Sequence, residues 1–346
     1  MSAIPQGAIR FNTDSQKLEF YAQGEWWVMS SDTPNLGRGV DSTPGARGVV
    51  GGGGAPGTPF AATDSIEYFN IASMGSVASF GTLSASGAVQ LLSSFSSSTR
   101  GMYVGGRQSD GTNNTLQFIT IASTGNATDH SDLENKREYH ACCSNSTRGL
   151  IGGGNIGTAP TQPSTTNIEY VTIASSASSK TFGNLSRFMD GGSGTASSTR
   201  GIFAGGYNPS ASNIIDFVTI ATLGAAQDFG DLTGTGIGVY GCSNATRSVI
   251  CQGYRSANIN NIDYITIATT GNAVDFGDRT VIARYGAAAS SSTRAVFAGG
   301  YGAPVATYEN TVDYVEIPTQ GNAVDFGDLS TPRGTTTGFS NAHGGL

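Results

Sequence analysis

The residues in this chain that could do chemistry come in sets, and the sets repeat. Asp228-Phe229-Gly230, Asp275-Phe276-Gly277 and Asp325-Phe326-Gly327 each spell a triplet that can hold magnesium when a glycine-rich phosphate loop, a catalytic lysine and a catalytic-loop partner accompany it. None of those companions is in place, so the three copies read as structure. Glycine runs such as Gly51-Gly52-Gly53-Gly54 are followed by neither Gly-Lys-Ser/Thr nor a predicted helix, which argues against a phosphate loop. Six arginines (Arg47, Arg100, Arg148, Arg200, Arg247, Arg294) recur with one acid per unit (Glu67, Glu169, Asp216, Asp263, Asp313), the second unit having Gln117 instead. A planar guanidinium can hold a carboxylate or several carbonyls, so the expectation is a repeated structural pair. The alternative is a cationic ring that binds an anion. His130, His140 and His343 occupy unrelated positions, with no metal-ligand spacing and no Ser-His-Asp arrangement. No enzyme activity, cofactor or metal is expected.

The elements that must position these residues follow from the repeat. Arginines at 47, 100, 148, 200, 247 and 294 are spaced by 53, 48, 52, 47 and 47 residues, each before a small-apolar run and a glycine doublet. The unit ending the chain divides into four strands: one before Arg294, one through Ala295-Val296-Phe297-Ala298 to Gly299-Gly300, one at Val312-Asp313-Tyr314-Val315-Glu316-Ile317 and one at Ala323-Val324-Asp325-Phe326. Turns such as Thr124-Gly125-Asn126 supply residues that tolerate positive φ in a tight hairpin. Both faces of the third strand are largely apolar, as in Ile262-Asp263-Tyr264-Ile265-Thr266-Ile267. Sheets of four short strands buried on both sides and repeated every 40–50 residues or so are propeller blades rather than solenoid turns.

The first unit lacks a strand before Arg47, and residues 334–342 match that first-strand region and then stop. The expectation is an all-β, six-bladed propeller over 47–346, closed by pairing of 334–342 with 48–52. Closure removes the open edges that invite aggregation. The distance from the third-strand acid position to the next arginine is 33 residues for Glu67 and 31 for Gln117, Glu169, Asp216 and Asp263. From arginine to acid position it is 20, 17, 21, 16, 16 and 19, so length varies in the loop after the glycine doublet. Such loops emerge on one face and are where binding usually resides. They nominate Arg107, Tyr207, Tyr254, Tyr301 and Tyr308.

Residues 1–29 read as a small β-meander and 30–46, with Pro34 and Pro44, as a linker. Trp26 and Trp27, the two tryptophans of the chain, stand side by side on the last meander strand. They serve either packing within the chain or an assembly interface, where Trp is enriched. A formal charge of −7 speaks against nucleic acid as the main partner. No segment is long and apolar enough to insert in a membrane, and Met1-Ser2-Ala3-Ile4-Pro5 is no secretory signal. Cys142, Cys143, Cys242 and Cys251 do not recur by unit, which suits small buried thiols of a protein made in a reducing cytoplasm.

The doublets Gly52-Gly53, Gly105-Gly106, Gly153-Gly154, Gly205-Gly206 and Gly299-Gly300, with Gln252-Gly253 in the fifth unit, resemble those of kelch propellers. The later kelch tryptophan is absent, its region holding Phe80, Phe182, Phe229, Phe276, Phe326 and His130. The stretches Gly7-Ala8-Ile9-Arg10-Phe11-Asn12-Thr13-Asp14, Lys17-Leu18-Glu19-Phe20-Tyr21 and Glu25-Trp26-Trp27 are similar to segments of fibres and other structural proteins of tailed bacteriophages. The Ser-Ser-Thr-Arg-Gly repeats and Ile121 to Ala127 look like repeats in virion proteins of marine, particularly cyanobacterial, phages. The resemblance implies a virion protein made in the host cytoplasm, joined to other virion proteins through residues 1–29, by analogy with fibres as a homotrimer. It implies a tail-fibre or appendage adhesin whose loop face meets a host glycan or protein, or else a decoration or adaptor protein that only joins virion components.

Overall fold

The structure, a computed structural model, describes residues 5, 7–12, 17–28, 46–56, 61–83, 87–157, 163–207, 209–255, 257–302 and 307–346. Two compact units divide the chain, residues 1–44 and 45–346. In the first, Ile9–Asn12, Lys17–Ala22 and Glu25–Val28 form an antiparallel sheet in that order. Its second turn is made by Gln23 and Gly24, with φ of 55° and 86°, the left-handed pair that a two-residue hairpin requires. The expected turn at 13–16 and nearly all of the expected linker lie outside the described residues.

The second unit is a six-bladed β-propeller, and no helix occurs among the described residues. Blade 4 shows the plan: Ser193–Ala196, Arg200–Ala204, Ser212–Thr219 and Gln227–Gly236 pair antiparallel in sequence order. The innermost strands of blades 1 to 6 are Thr337–Ser340, Ser93–Ser96, Ala141–Ser144, Ser193–Ala196, Tyr240–Ser243 and Ala287–Ser290. Each lies beside those of both neighbouring blades, so the ring is closed. Six strands meeting at an axis crowd one another, and most of their residues are Ala, Ser or Gly. Serines exploit this: Ser96, Ser144, Ser243, Ser290 and Ser340 each donate a hydroxyl hydrogen bond to the matching carbonyl of the preceding blade. Ala196 interrupts that belt in blade 4.

Blade 1 takes its innermost strand from the end of the chain, as expected. The ladder runs from Thr337↔Gly51 to Ser340↔Gly48, and an isolated bridge joins Gly334 to Gly54. Phe339 anchors it, 4% exposed and edge-on to Tyr103 of blade 2 at 5.3 Å. Its ring occupies the space that a Cβ at Gly101 would need, which is why the residue after Arg100 is glycine.

The repeated arginines do not pair with the repeated acids; the expected pair is replaced by two separate devices. Each arginine lies flat on the third-strand aromatic of its own blade, from 4.6 Å (Arg47 on Tyr68) to 4.9 Å (Arg247 on Tyr264). Each also donates to the isoleucine carbonyl closing the third strand of the next blade: Arg47 to Ile121, Arg100 to Ile173, Arg148 to Ile220, Arg200 to Ile267, Arg247 to Ile317 and Arg294 to Ile71. Only Arg294 adds a carboxylate, and it is Glu316 rather than the repeated Asp313. The fourth-strand residue under each aromatic is the Phe of the Asp-Phe-Gly triplets or its counterpart, with His130 in blade 2.

The acids instead hold the linkers that enter their own blades. Glu67 pairs with Arg333 at 3.1 Å, Glu169 with Arg137 at 2.7 Å and Asp313 with Arg279 at 2.9 Å, all buried. Asp216 accepts from the backbone and hydroxyl of Ser186, with Arg187 close by. In blade 5, where the linker has no arginine, Thr233 and the amide of Gln252 bind Asp263. The broken doublet Gln252-Gly253 thus fills an arginine's place.

The Thr-Gly-Asn stretches also differ from the expected tight hairpin. Residues 121–127 form a longer loop that docks on the preceding blade, where Asn126 Oδ1 accepts from Thr82 N at 3.1 Å and Gly125 N donates to Phe80 O at 2.9 Å. Asn272 and Asn322 do the same against Asp231 and Asp278.

Candidate functional site

The variable loops and the linkers between blades share one face of the propeller, around one mouth of the central channel. At that mouth six equivalent residues adopt left-handed backbone: Leu91, Tyr139, Gly191, Gly238, Tyr285 and Thr335, with φ between 52° and 67°. Four are not glycine, and each such residue costs on the order of 1 kcal/mol. A chain of five hydrogen bonds links them, in which the amide donates to the matching carbonyl of the blade before: Leu91 to Thr335, Tyr139 to Leu91, Gly191 to Tyr139, Gly238 to Gly191 and Tyr285 to Gly238, at 2.8–3.1 Å.

Tyr139 and Tyr285 enter blades 3 and 6, on opposite sides of the ring, and their rings meet across the mouth at 5.6 Å. Tyr285 crosses Gly191 and Gly238, whose missing side chains make the room; a Cβ at Gly238 would come 2.9 Å from the ring. Below lies a cavity of about 100 Å³ lined by residues including Ser93, His140, Ser193 and Thr337. His140 is buried, and desolvation followed by the nearby Arg137 charge pushes its pKa down to about 3. Burial likewise raises the Tyr139 hydroxyl and the Asp190 carboxyl, the latter opposed by the hydroxyl of Ser164 at 2.9 Å. The opposite mouth is crossed by residues 341–346. There His343 Nε2 lies 2.9 Å from Ser96 O and Gly344 N donates to Ser243 O at 2.7 Å.

The residues nominated from the variable loops fall into one ring. The residue after each doublet bridges to the residue just before the left-handed position: Arg107 to Gln90, Tyr207 to Asp190, Tyr254 to Ile237 and Tyr301 to Arg284. Tyr301 also faces Tyr308 across the next pair of strands, with ring centroids 5.6 Å apart. Arg284, which the sequence reading missed, gathers this side: its guanidinium carbon lies 5.0 Å from the Tyr254 ring, 5.3 Å from Tyr301 and 5.6 Å from Tyr285. Tyr254, Tyr301 and Tyr308 thus come together with Arg284 and Tyr285. Tyr207 stands outside that cluster, 40% exposed. Arg107 sits at blade 2, 3.7 Å from the buried Glu138, whose carboxyl desolvation raises.

Several loop tips (57–60, 158–162, 303–306) lie outside the described residues. One signal could have found the mouth: Tyr139 and Tyr285 each precede their repeat arginine, Arg148 and Arg294, by nine residues.

In the meander, Trp26 packs within its own sheet, beneath Arg10 at 4.1 Å and edge-on to Tyr21 at 5.3 Å. Trp27 takes a register position in the row Ile9–Phe20–Trp27. Ile9 and Phe11 on that face of the first strand are 62% and 59% exposed. The four cysteines are free buried thiols, with burial pushing Cys143 and Cys242 up to about 12, far from a reactive thiolate. Among the described residues no three His, Cys, Asp or Glu side chains gather as a metal set.

No family model and no curated protein sequence matches this chain. Chemically, the loop face beside the mouth offers aromatic rings, the Arg284 guanidinium and left-handed backbone around a cavity. Those are groups that bind.

Proposed function

We propose that this chain is a structural protein of a tailed-bacteriophage virion, a kelch-like propeller carried by an N-terminal attachment segment. Its loop face contacts the host surface. One observation carries this reading: the face with all the length variation also gathers Tyr254, Tyr285, Tyr301 and Tyr308 around Arg284, beside the channel mouth. These tyrosines are half-buried, and a tyrosine held so presents a large rigid contact area with a polar tip at small entropic cost. Variation on one face of an otherwise regular ring is the pattern of a recognition surface. The resemblance of residues 1–29 to phage fibre segments supplies the virion context. Binding without catalysis is the role assigned to the propeller.

The test is binding of fluorescent full-length protein to a panel of marine cyanobacterial strains. Saturable binding to at least one strain is expected, weakened at least tenfold by Tyr254→Ser/Tyr301→Ser. Absence of binding to every strain, with immunogold labelling at the capsid or neck, would sink the adhesin reading. It would favour the second reading, a decoration or adaptor protein. The exposed Ile9 and Phe11 support that second reading as the site where such a protein meets other virion components.

A further inference from the structure

Among the described residues every arginine but one is spoken for. The six turn arginines each hold a carbonyl of the next blade. Arg137, Arg279 and Arg333 each hold a buried acid. Arg10, Arg107 and Arg255 hold Glu19, Glu138 and Gln252, and Arg187 holds the carbonyls of Gly205 and Ile214. Among the described residues Arg284 alone has a guanidinium with no hydrogen bond and no ion pair; its Nε is buried without a partner, as are those of Arg137, Arg187 and Arg333, whose other nitrogens are bonded. Leaving a buried donor of a charged group unmet is costly, and structures normally supply an acceptor.

What surrounds Arg284 describes the missing acceptor. The guanidinium of half-buried Arg284 lies over the rings of Tyr254, Tyr285 and Tyr301, which attract the cation while giving it no acceptor. The strand pairing Arg284↔Tyr301↔Tyr308 lines up the cation and two rings in one row on the loop face. A guanidinium fork left without an acceptor matches a carboxylate. Tyrosine rings beside it match the C–H faces of a pyranose, with phenol hydroxyls for its hydroxyls.

We propose that Arg284 and the tyrosines around it form a binding subsite for an acidic sugar: Arg284 pairs with the sugar carboxylate, and Tyr254, Tyr285 and Tyr301 pack on its ring. This names a ligand class for the recognition face and rests on the adhesin reading.

The experiment is calorimetric titration of the full-length protein with α-1,4-linked trigalacturonate, with its neutral counterpart galactotriose, and with inorganic phosphate. Trigalacturonate should bind at least tenfold more tightly than galactotriose, and that preference should weaken as salt is raised. Arg284→Gln should lower trigalacturonate affinity at least tenfold and leave galactotriose unchanged. Arg284→Lys, which keeps the charge and loses the fork, should fall between. Equal binding of the two sugars by the wild type, or no binding of either, overturns the proposal, and this holds even if Arg284→Gln does not fold. Phosphate binding that displaces trigalacturonate or replaces it altogether makes the subsite a phosphate site and overturns the sugar-carboxylate assignment. Undiminished trigalacturonate binding by Arg284→Gln overturns the role of Arg284. Cell binding by the wild type with these negative results leaves the adhesin reading standing without this ligand. A positive titration with no cell binding does the reverse.

Discussion

The two faces of the propeller are built by different rules. On the turn face every blade repeats one device, an arginine laid on its own aromatic and bonded to the next blade's isoleucine carbonyl. On the loop face the same acid position is served by Arg137 or Arg333, by Arg279, by Ser186, or by Thr233 and Gln252. One face holds blades together with a fixed part in a fixed place. The other reaches the same end with whatever the linker provides, which leaves its side chains free to diverge. The difference teaches where this molecule can change and where it cannot.

Substitutions on the two faces can break that contrast or sharpen it. The largest loss belongs to the closing strand. Phe339→Ala should destabilise the propeller by about 3–5 kcal/mol, because it leaves a cavity against Tyr103 and loosens the strand completing the ring. A denaturant titration reads it, and a loss under about 1 kcal/mol would show that closure does not depend on this contact. Next comes the loop-face staple. Arg137→Met should cost about 3–5 kcal/mol by stranding buried Glu169, while Arg137→Met/Glu169→Leu should recover most of it. If the double variant is no more stable than the single one, the arginine acts by packing rather than by charge.

Acidification tests the buried histidine of the mouth. Its folded pKa of about 3 lies below the unfolded value near 6.5, so only the unfolded chain gains a proton as pH falls through that window. Stability should therefore be unaffected by this group above pH 6.5 or so and fall by up to about 1.4 kcal/mol per pH unit below it. Melting curves at pH 7 and pH 5 or thereabouts should show a gap that His140→Gln narrows; an equal gap in both would assign the sensitivity elsewhere.

On the turn face Arg200→Ala should cost about 1–2 kcal/mol, from one cation–π contact and its carbonyl bonds. An unchanged melting temperature would overturn the structural role. The smallest effect is expected on the loop face, where Tyr207→Ala should shift stability by less than about 0.5 kcal/mol. A loss as large as that of Arg200→Ala would mean that the loop ring is also structural.

Much of the turn face was legible in the chain, because symmetry forces its register. Arg47 through Arg294 counted the blades, and the strand missing before Arg47 was found at the end of the chain, where Thr337–Ser340 pairs with Gly48 to Gly51. The purpose of the arginines was not legible. An arginine and an acid once per unit suggest each other, yet the arginine opens the second strand and the acid sits further along the ladder on the third (Arg200 opposite Thr219, Asp216 opposite Phe203), so they answer to different neighbours. Tyr254, Tyr301 and Tyr308 were legible as loop-face residues from the length variation alone. Arg284, Tyr139 and Tyr285 were not, because they lie in the linkers, where the two tyrosines share a spacing to their arginines but the other four blades carry no aromatic at that position.

Repetition along the chain specifies the periodic part: blade number, strand order, closure, and the face that varies. Periodicity suffices for these because each blade buries its two faces against copies of itself. Everything that crosses the ring comes from the folded arrangement instead. Tyr139 and Tyr285 are 146 residues apart and touch because three blades carry one half-way round from the other. Arg284 lacks an acceptor only in the folded surroundings that give every other described arginine one. Such juxtapositions depend on rotation about an axis, and a linear pattern does not record which residues a closed ring brings face to face.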